Sequence, residues 1–336
     1  MEIGVFMRGR LAVGCFFIFM SGLLSEFSLT HDCSAAEAER VNVNVPSFDI
    51  SVIPLYVAKD KGYFNEEGLD PAFVLATPGV GINGLVAGNF DFTEAAGSAS
   101  TAIARNMPLK VVLIHTFKPA FWIYTWENIK SLSQLKGKKL GVSTIGALPH
   151  TLAKIALRKA GLDPDREVVM IAAGTDEVRL AALKKGALDA AVLNAPVKIR
   201  AKKEGLKEVI FLGEQVYGLS GGVVTNVKMI QTRSETVQRF VTAAVKGHKY
   251  FLANRESSVV IMAKYMKVDT GMARELYETT IQTFTQDGMV GEDFMKSEAQ
   301  LQATALGLKE NPPFERPFDL SFARKANRLL ADWKPH

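Results

Sequence analysis

The stretch Leu85-Val86-Ala87-Gly88-Asn89-Phe90-Asp91 returns 98 residues on as Leu183-Lys184-Lys185-Gly186-Ala187-Leu188-Asp189, and the two copies share Leu-x-x-Gly-x-x-Asp. Around each copy, short apolar runs alternate with helical stretches. The runs are Val41 to Val45, Ala72 to Ala76 and Lys110 to His115, then Lys139 to Ser143, Val168 to Ala172, Ala190 to Leu193 and Glu208 to Leu212. Alternation of this kind builds βαβ units with mainly parallel sheets. The same shift carries the run at Val41 onto the run at Lys139, and it brings Lys110 within one residue of Lys207. The chain therefore reads as two similar α/β lobes.

Helix punctuation agrees. Thr175 can N-cap a helix whose first turn holds Asp176 and Glu177, whose last turn holds Lys184 and Lys185, and which Gly186 ends. Pro149 opens another helix, with Leu152, Ile155 and Ala156 on one face and Gly161 as its stop. After Thr225 only helical patterns remain. There Thr232-x-x-Glu235 reads as a capping box before the apolar stripe of Val237, Phe240, Val241, Ala244 and Val245.

Composition removes several classes. In 336 residues, 48% are hydrophobic and 22% charged, which is ordinary globular usage and not that of a disordered chain, a collagen or a coiled coil. The net charge is +5, but Lys and Arg are scattered among acidic residues, so no nucleic-acid partner is expected. At the N-terminus Arg8 and Arg10 precede an apolar run from Leu11 to Leu24, and the small residues Ser34-Ala35-Ala36-Glu37-Ala38 follow. This is the layout of a secretory signal, too short in its apolar run for the roughly 20 residues of a membrane span. Cleavage after Ala36 or Ala38 is expected, giving a periplasmic protein. It would remove Cys15 and Cys33, leaving a mature chain with no thiol, disulfide or thiolate metal site.

The segment Val57-Ala58-Lys59-Asp60-Lys61-Gly62-Tyr63-Phe64-Asn65-Glu66-Glu67-Gly68-Leu69 resembles the periplasmic solute-binding proteins of ABC importers that handle nitrate, aliphatic sulfonates, taurine and thiamine-pyrimidine precursors. Also matching are Leu85-x-x-Gly88-x-x-Asp91-Phe92, Ser131-Leu132-x-x-Leu135-Lys136-Gly137-Lys138-x-x-Gly141-Val142, Leu180-Ala181-Ala182-Leu183-x-x-Gly186-x-x-Asp189-Ala190, Asp287-Gly288 and Phe318-Asp319-x-Ser321-Phe322. The resemblance implies an α/β fold of the two-lobed periplasmic-binding-protein type, type II-like, with lobes joined by two crossing strands and a ligand cleft between them. It implies closure around a small molecule and delivery to an ABC permease at the inner membrane, by a monomer that needs no cofactor. The first crossing is expected near Phe121-Trp122-Ile123-Tyr124 and the second near Gly221-Gly222-Val223-Val224. Lobe one is then 39–122 plus 222–336, lobe two 123–221, and the signal peptide 1–38.

Open parallel sheets bind ligands beyond the carboxyl ends of their strands. In lobe one that rule selects the loops holding Phe48, Asp49 and Ser51, and Glu94, Gly97, Ser98 and Ser100. In lobe two it selects Ser143, Thr144 and Gly146, with Thr175 and Asn194 in the neighbouring turns. Gly97 and Gly146 would admit close backbone approach. Each Ser or Thr is either a hydroxyl donor to the ligand or a plain helix cap. Phe48, Phe121, Trp122 and Tyr124 are either aromatic walls or lobe core. Asp49 and Glu94 would pair with an amine or amino-heterocycle, or be solvated loop residues. None of these loops holds Lys or Arg, so an anionic end would be held by amides, hydroxyls and helix dipoles.

Two motifs are resisted. Gly79-x-Gly81-x-x-Gly84 fits the dinucleotide pattern, but Pro78 precedes it, it follows a second strand, and an exported protein meets little nicotinamide cofactor. His115 and His150 show no nucleophile or paired base nearby in sequence, and His248 reads as a surface or packing residue. No enzyme is expected; the alternatives are a dehydratase-like enzyme using Asp49 or Glu94, and a sensor feeding a receptor kinase.

Overall fold

The computed structural model describes residues 37–335 apart from 47, 48, 127, 128, 144, 146 and 147. The expected signal segment up to residue 36, with Cys15 and Cys33, lies outside the described residues, as do Phe48, Thr144 and Gly146. The first half runs β1 (Glu39–Val45), α1 (Ile53–Asp60), α2 (Tyr63–Glu66), β2 (Leu69–Leu75), α3 (Pro78–Ala87), β3 (Phe92–Thr93), α4 (Ala96–Ala104) and β4 (Leu109–Thr116). The second half runs β5 (Phe121–Thr125), β6 (Lys139–Val142), α5 (Leu148–Lys159), β7 (Val169–Ala172), α6 (Asp176–Lys184), β8 (Ala190–Asn194), α7 (Ala195–Lys203) and β9 (Lys207–Phe211). Then come β10 (Gly221–Asn226), α8 (Val227–Thr232), α9 (Ser234–Ala253), α10 (Arg255–Met266), α11 (Thr270–Thr280), α12 (Glu292–Leu306) and α13 (Ser321–Leu329).

These strands form two five-stranded sheets of the same plan, β2-β1-β3-β10-β4 and β7-β6-β8-β5-β9. In each, the fourth strand is antiparallel and is the one that arrives straight from the other sheet. The chain leaves the first sheet after Thr116, enters the second at Phe121, and returns between Phe211 and Gly221. The Phe121 and Gly221 strands therefore lie wholly within one sheet each, and the stretches between sheets are 117–120 and 212–220. These two stretches bond to one another, Gly218 N donating to Phe117 O at 3.2 Å and Ser220 N to Thr116 O at 3.3 Å. Gly221 is required where they meet, since a Cβ there would lie 2.2 Å from Ser51 Cβ.

The recurring motif has the same structural use in both halves. Gly88 and Gly186 take left-handed φ of 81° and 68° where their helices stop. Asp91 accepts from Asn42 N at 2.8 Å and Asp189 from Lys139 N at 2.7 Å, so each carboxylate ties the turn before β3 or β8 to its neighbouring central strand. The repeat is out of step by one residue at those strands.

One reading is corrected. The capping box does not form: Thr232 ends α8, its hydroxyl donating to Lys228 O, and α9 begins without a side-chain cap. The glycines of Gly79-x-Gly81-x-x-Gly84 lie inside α3, where Gly81 and Gly84 make room for Asn44 and Phe90. His248 is fully buried, its ring 5.3 Å from that of His115. The helices after β10 pack mainly on the first sheet, with Phe240 of α9 stacked 3.8 Å from Phe92. Among the described residues no helix is long and apolar enough to cross a membrane.

Candidate functional site

Strand ends of both sheets meet at two adjoining chambers, of about 440 Å³ and about 390 Å³. Asp49, Ser51 and Ser220 line both. Each is of a size that holds a small organic ligand.

The first chamber is walled by Thr116 ending β4 and Lys118 beyond it, Phe121 of β5, Ser143 after β6, and Asn194 ending β8. Asn194 caps α7, its Oδ1 accepting from Val197 N at 3.1 Å, while its own N donates to Asp176 Oδ1 at 2.8 Å. Asp176 also holds the buried Arg179 guanidinium at 2.6 Å. Arg179 donates to Val192 O and Gly174 O as well, so its charge is spent on the protein, although Nη2 makes no aligned hydrogen bond. Lys118 differs: among the described residues no carboxylate pairs with it, and its ammonium rests over Phe117 at 5.4 Å and Tyr217 at 5.9 Å. The expectation of a cleft without cations is thus corrected. Lys118 lies in the stretch between sheets and Arg179 within α6, not in the strand-end loops.

The second chamber takes Glu94, Gly97 and Ser98 from the turn after β3, Leu148 and Thr151 from α5, and Leu301 and Gln302 from α12. Glu94 is 1% exposed. Its Oε1 lies 2.9 Å from His115 Nδ1, and its Oε2 has no hydrogen-bond partner. Burial, reinforced by the nearby Asp49 charge, pushes the Glu94 carboxyl well above the usual range, while the Gly222 N–H favours the ionised form without making an aligned bond to Oε2. Burial pushes His115 down to about 3, against the pull of the Ser51 backbone carbonyl. The view of His115 as lacking a paired group is therefore corrected; its partner sits across the sheet. The turn itself is fixed by buried Asn44, whose Oδ1 accepts from Thr93 Oγ1 at 2.6 Å and whose amide donates to Ala76 O at 2.9 Å.

Of the residues singled out in sequence, Asp49, Ser51, Glu94, Gly97, Ser98, Phe121, Ser143 and Asn194 come together at these chambers. Asp49 accepts from Ser51 N at 2.9 Å and Ser51 Oγ at 2.6 Å, forming the ridge between them. Four others lie elsewhere, among them Tyr124, buried in β5 with its hydroxyl donating to Glu208 Oε2 at 3.0 Å. Ser100 is buried and donates to Glu298 Oε1 of α12 at 2.5 Å. Trp122 is 1% exposed, stacked 4.6 Å from Phe211 in the second sheet's packing. Thr175 is an exposed cap of α6, accepting from Val178 N. Sequence reasoning missed Lys118, Ser220 and the walls given by Met266, Leu276 and Thr283, which helix packing brings from far along the chain. Only Lys118 carried a signal, being a cation between two strands that lie in different sheets.

Comparison with known proteins places this architecture. A protein of Brucella abortus (strain 2308) that carries a binding-protein name is 28% identical over 220 residues, covering 63% of this chain and 67% of its own. The riboflavin-binding protein RibY of Chloroflexus aurantiacus is 26% identical over 234 residues, 65% of this chain and 64% of its own. Among solved structures, the periplasmic aliphatic sulphonate binding protein SsuA of Escherichia coli superposes with a TM-score of 0.70 at 18% identity, over 84% of this chain and 92% of its own, which establishes the shared two-lobed fold. The family described as NMT1/THI5 like matches residues 49–258, more than half of the sequence, and the chain belongs to that family.

Proposed function

We propose that this protein is an extracytoplasmic solute receptor that takes a small organic solute with an acidic end into the cleft, closes over it and delivers it to an ABC permease. The observation that carries this is Lys118: a cation at the cleft with no carboxylate partner among the described residues, beside the Asn194 turn and the Thr116, Ser143 and Ser220 hydroxyls. An unpaired ammonium lining a chamber of ligand size supports recognition of a sulfonate, taurine-like or carboxylate group. Apolar walls from Ile50, Ala120, Phe121, Pro149, Met266 and Leu276 would take the rest of the molecule, which suits an organic solute or amino-heterocycle better than nitrate. The names of the relatives support it, two of them binding proteins and the third a structure of a periplasmic sulphonate binding protein. On this reading residues 1–38 are a cleaved signal and the mature chain is a periplasmic monomer. Its lobes are the proposed 39–122 with 222–336, and 123–221, with the changeovers falling close to where the chain passes between sheets.

The test is a thermal-shift screen of the purified protein against sulfonates, taurine, carboxylates, aromatic acids and amino-heterocycles, with nitrate as the inorganic comparison. A ligand that binds only the folded state adds about 2.7 kcal/mol at a hundredfold excess over Kd. A hit recovered unchanged after incubation supports the receptor. The Glu94–His115 pair favours one second reading, an enzyme on the same scaffold using that pair as acid and base; consumption of the hit compound would establish it instead. If no organic solute shifts the protein, the receptor reading fails for these classes.

A further inference from the structure

Glu94 is the one carboxyl of the cleft whose surroundings are those of an interior group. It sits at the carboxyl end of β3, next to the polar tie of Asn44 and Thr93, and Glu94 N donates to Asn44 O at 3.0 Å, so the residue has little freedom to swing out. One oxygen is engaged by the His115 ring; the other has no hydrogen-bond partner among the described residues and is enclosed, at a residue that lines the second chamber, so a ligand's donor reaches it by a small shift of the chamber wall. A buried carboxyl oxygen left unbonded costs free energy that a ligand can recover.

We propose that Glu94, held by His115, is the residue that selects the solute, by accepting a hydrogen bond at Oε2 from an N–H or O–H of the bound molecule. This rests on the receptor reading above and narrows it: the solute carries an acidic end for Lys118 and a donor group for Glu94. Where the ring Nδ1–H donates to Oε1 of a carboxylate, or an acid proton on Oε1 is donated to Nδ1, the proton lies between Oε1 and Nδ1 and Oε2 is an acceptor; a neutral acid with its proton on Oε2 and Nδ1–H on Oε1 would make Oε2 a donor, and equal affinity within the matched pairs below is the result that arrangement gives. The Gly222 N–H acts on the carboxyl in the same sense, favouring acceptor character. A simple anion offers nothing to that oxygen and would meet the nearby Asp49 charge, so whatever Arg105 of the same chamber offers it, Glu94 favours the donor-bearing solute over it. His115 here is a positioning residue, and its own ring rests on His248, whose Nε2 is bonded to Thr285 O at 2.8 Å.

The probes are two matched pairs, benzoate with 4-aminobenzoate and ethanesulfonate with 2-aminoethanesulfonate, titrated into the purified protein by thermal shift and calorimetry. The donor-bearing member of at least one pair is expected to bind at least tenfold more tightly, and Glu94→Met, which keeps the length and removes both oxygens, is expected to bring that pair within twofold. Equal affinity within each pair that binds overturns the selection by Glu94 and leaves the receptor standing. No binding by any of the four removes both the receptor reading for these classes and the proposal. Should Glu94→Met fail to fold, Glu94→Gln and the wild-type ratio decide, since the ratio alone overturns the proposal if it is one.

Discussion

Lys118 and Arg179 are both cations at the cleft, yet they have opposite uses. Arg179 is fully buried and bonded to Asp176, Gly174 and Val192, so removing it would break the fold near α6 before it touched a ligand. Lys118 is partly exposed and, among the described residues, has no carboxylate partner. Lys118→Met is expected to weaken binding of acid-bearing solutes at least tenfold, about 1.4 kcal/mol, with the urea midpoint unchanged; calorimetry on any screened hit checks it, and equal affinity would remove Lys118 from the site. Gly97 makes the contrary prediction. A Cβ there would lie 2.7 Å from the backbone oxygen of Leu219, which cannot bend aside as a side chain could. Gly97→Ala is therefore expected to cost about 1–3 kcal/mol in urea unfolding, and an unchanged midpoint would show that the return stretch moves freely. At this scale the site was partly legible. Asp49, Ser51, Glu94, Ser143 and Asn194 follow from one rule, that ligands sit beyond strand ends. His115 does not, because its partner is 21 residues away and meets it only through sheet order, in which β10 separates β3 from β4.

Among the elements, the seven apolar runs all became strands within a few residues of their expected bounds, because a run of β-branched residues between turn signals has few other uses. What periodicity does not carry is the identity of a strand's neighbour. β5 lies between β8 and β9, with Trp122 opposite Leu193 on one side and Phe211 on the other. That places the Trp122 ring under α7, where Lys198 lies 4.3 Å from its centre, and not in the cleft with adjacent Phe121. Alternation along a strand sends neighbours to opposite faces, so two adjacent aromatics could not both have been walls. Trp122→Ala is accordingly expected to destabilise the protein by about 3–5 kcal/mol. Ligand Kd should stay within about twofold. Loss of binding with unchanged stability would return Trp122 to the site. The false capping box has a similar origin: Thr232 satisfies the pattern but its hydroxyl is used by the preceding turn of α8.

Over the whole molecule, buried ionisable groups set the response to acid. Burial holds His115 and His248 down to about 3 from 6.5, so the unfolded chain takes up protons that the folded one refuses, and stability falls as pH drops through that window. Glu94 and Glu298 are raised by burial and act in the other sense, their contribution being present at low pH and lost as pH rises above the ordinary 4.5 through their folded values. The two sets oppose one another above 4.5, and below 4.5 carboxylates held low, against burial, by cation partners, such as Glu39, lose their stabilising contribution in the same sense as the histidines. His248→Gln keeps an amide N–H for Thr285 O and removes one titration. Its acid loss between pH 6.5 and 3 is expected to be shallower by up to about 1.4 kcal/mol per pH unit, measured by urea unfolding across a pH series. Parallel curves would mean that His248 takes its proton in the folded state as readily as in the unfolded one. The two-sheet plan itself was legible from the repeated heptapeptide, whereas the exchange of fourth strands was not, since nothing in a local pattern records which sheet a strand will join. That exchange bears on the order in which the chain can fold as it is made. The second sheet uses an uninterrupted run from Phe121 to Phe211, so every strand it needs is present once Phe211 has been synthesised. The first sheet lacks its inner strand until Gly221–Asn226 exists, and β4 has no other partner strand in that sheet. The half that begins the protein is thus the half that must wait, with β4 unpaired while the 105 residues from Phe117 to Gly221 are added.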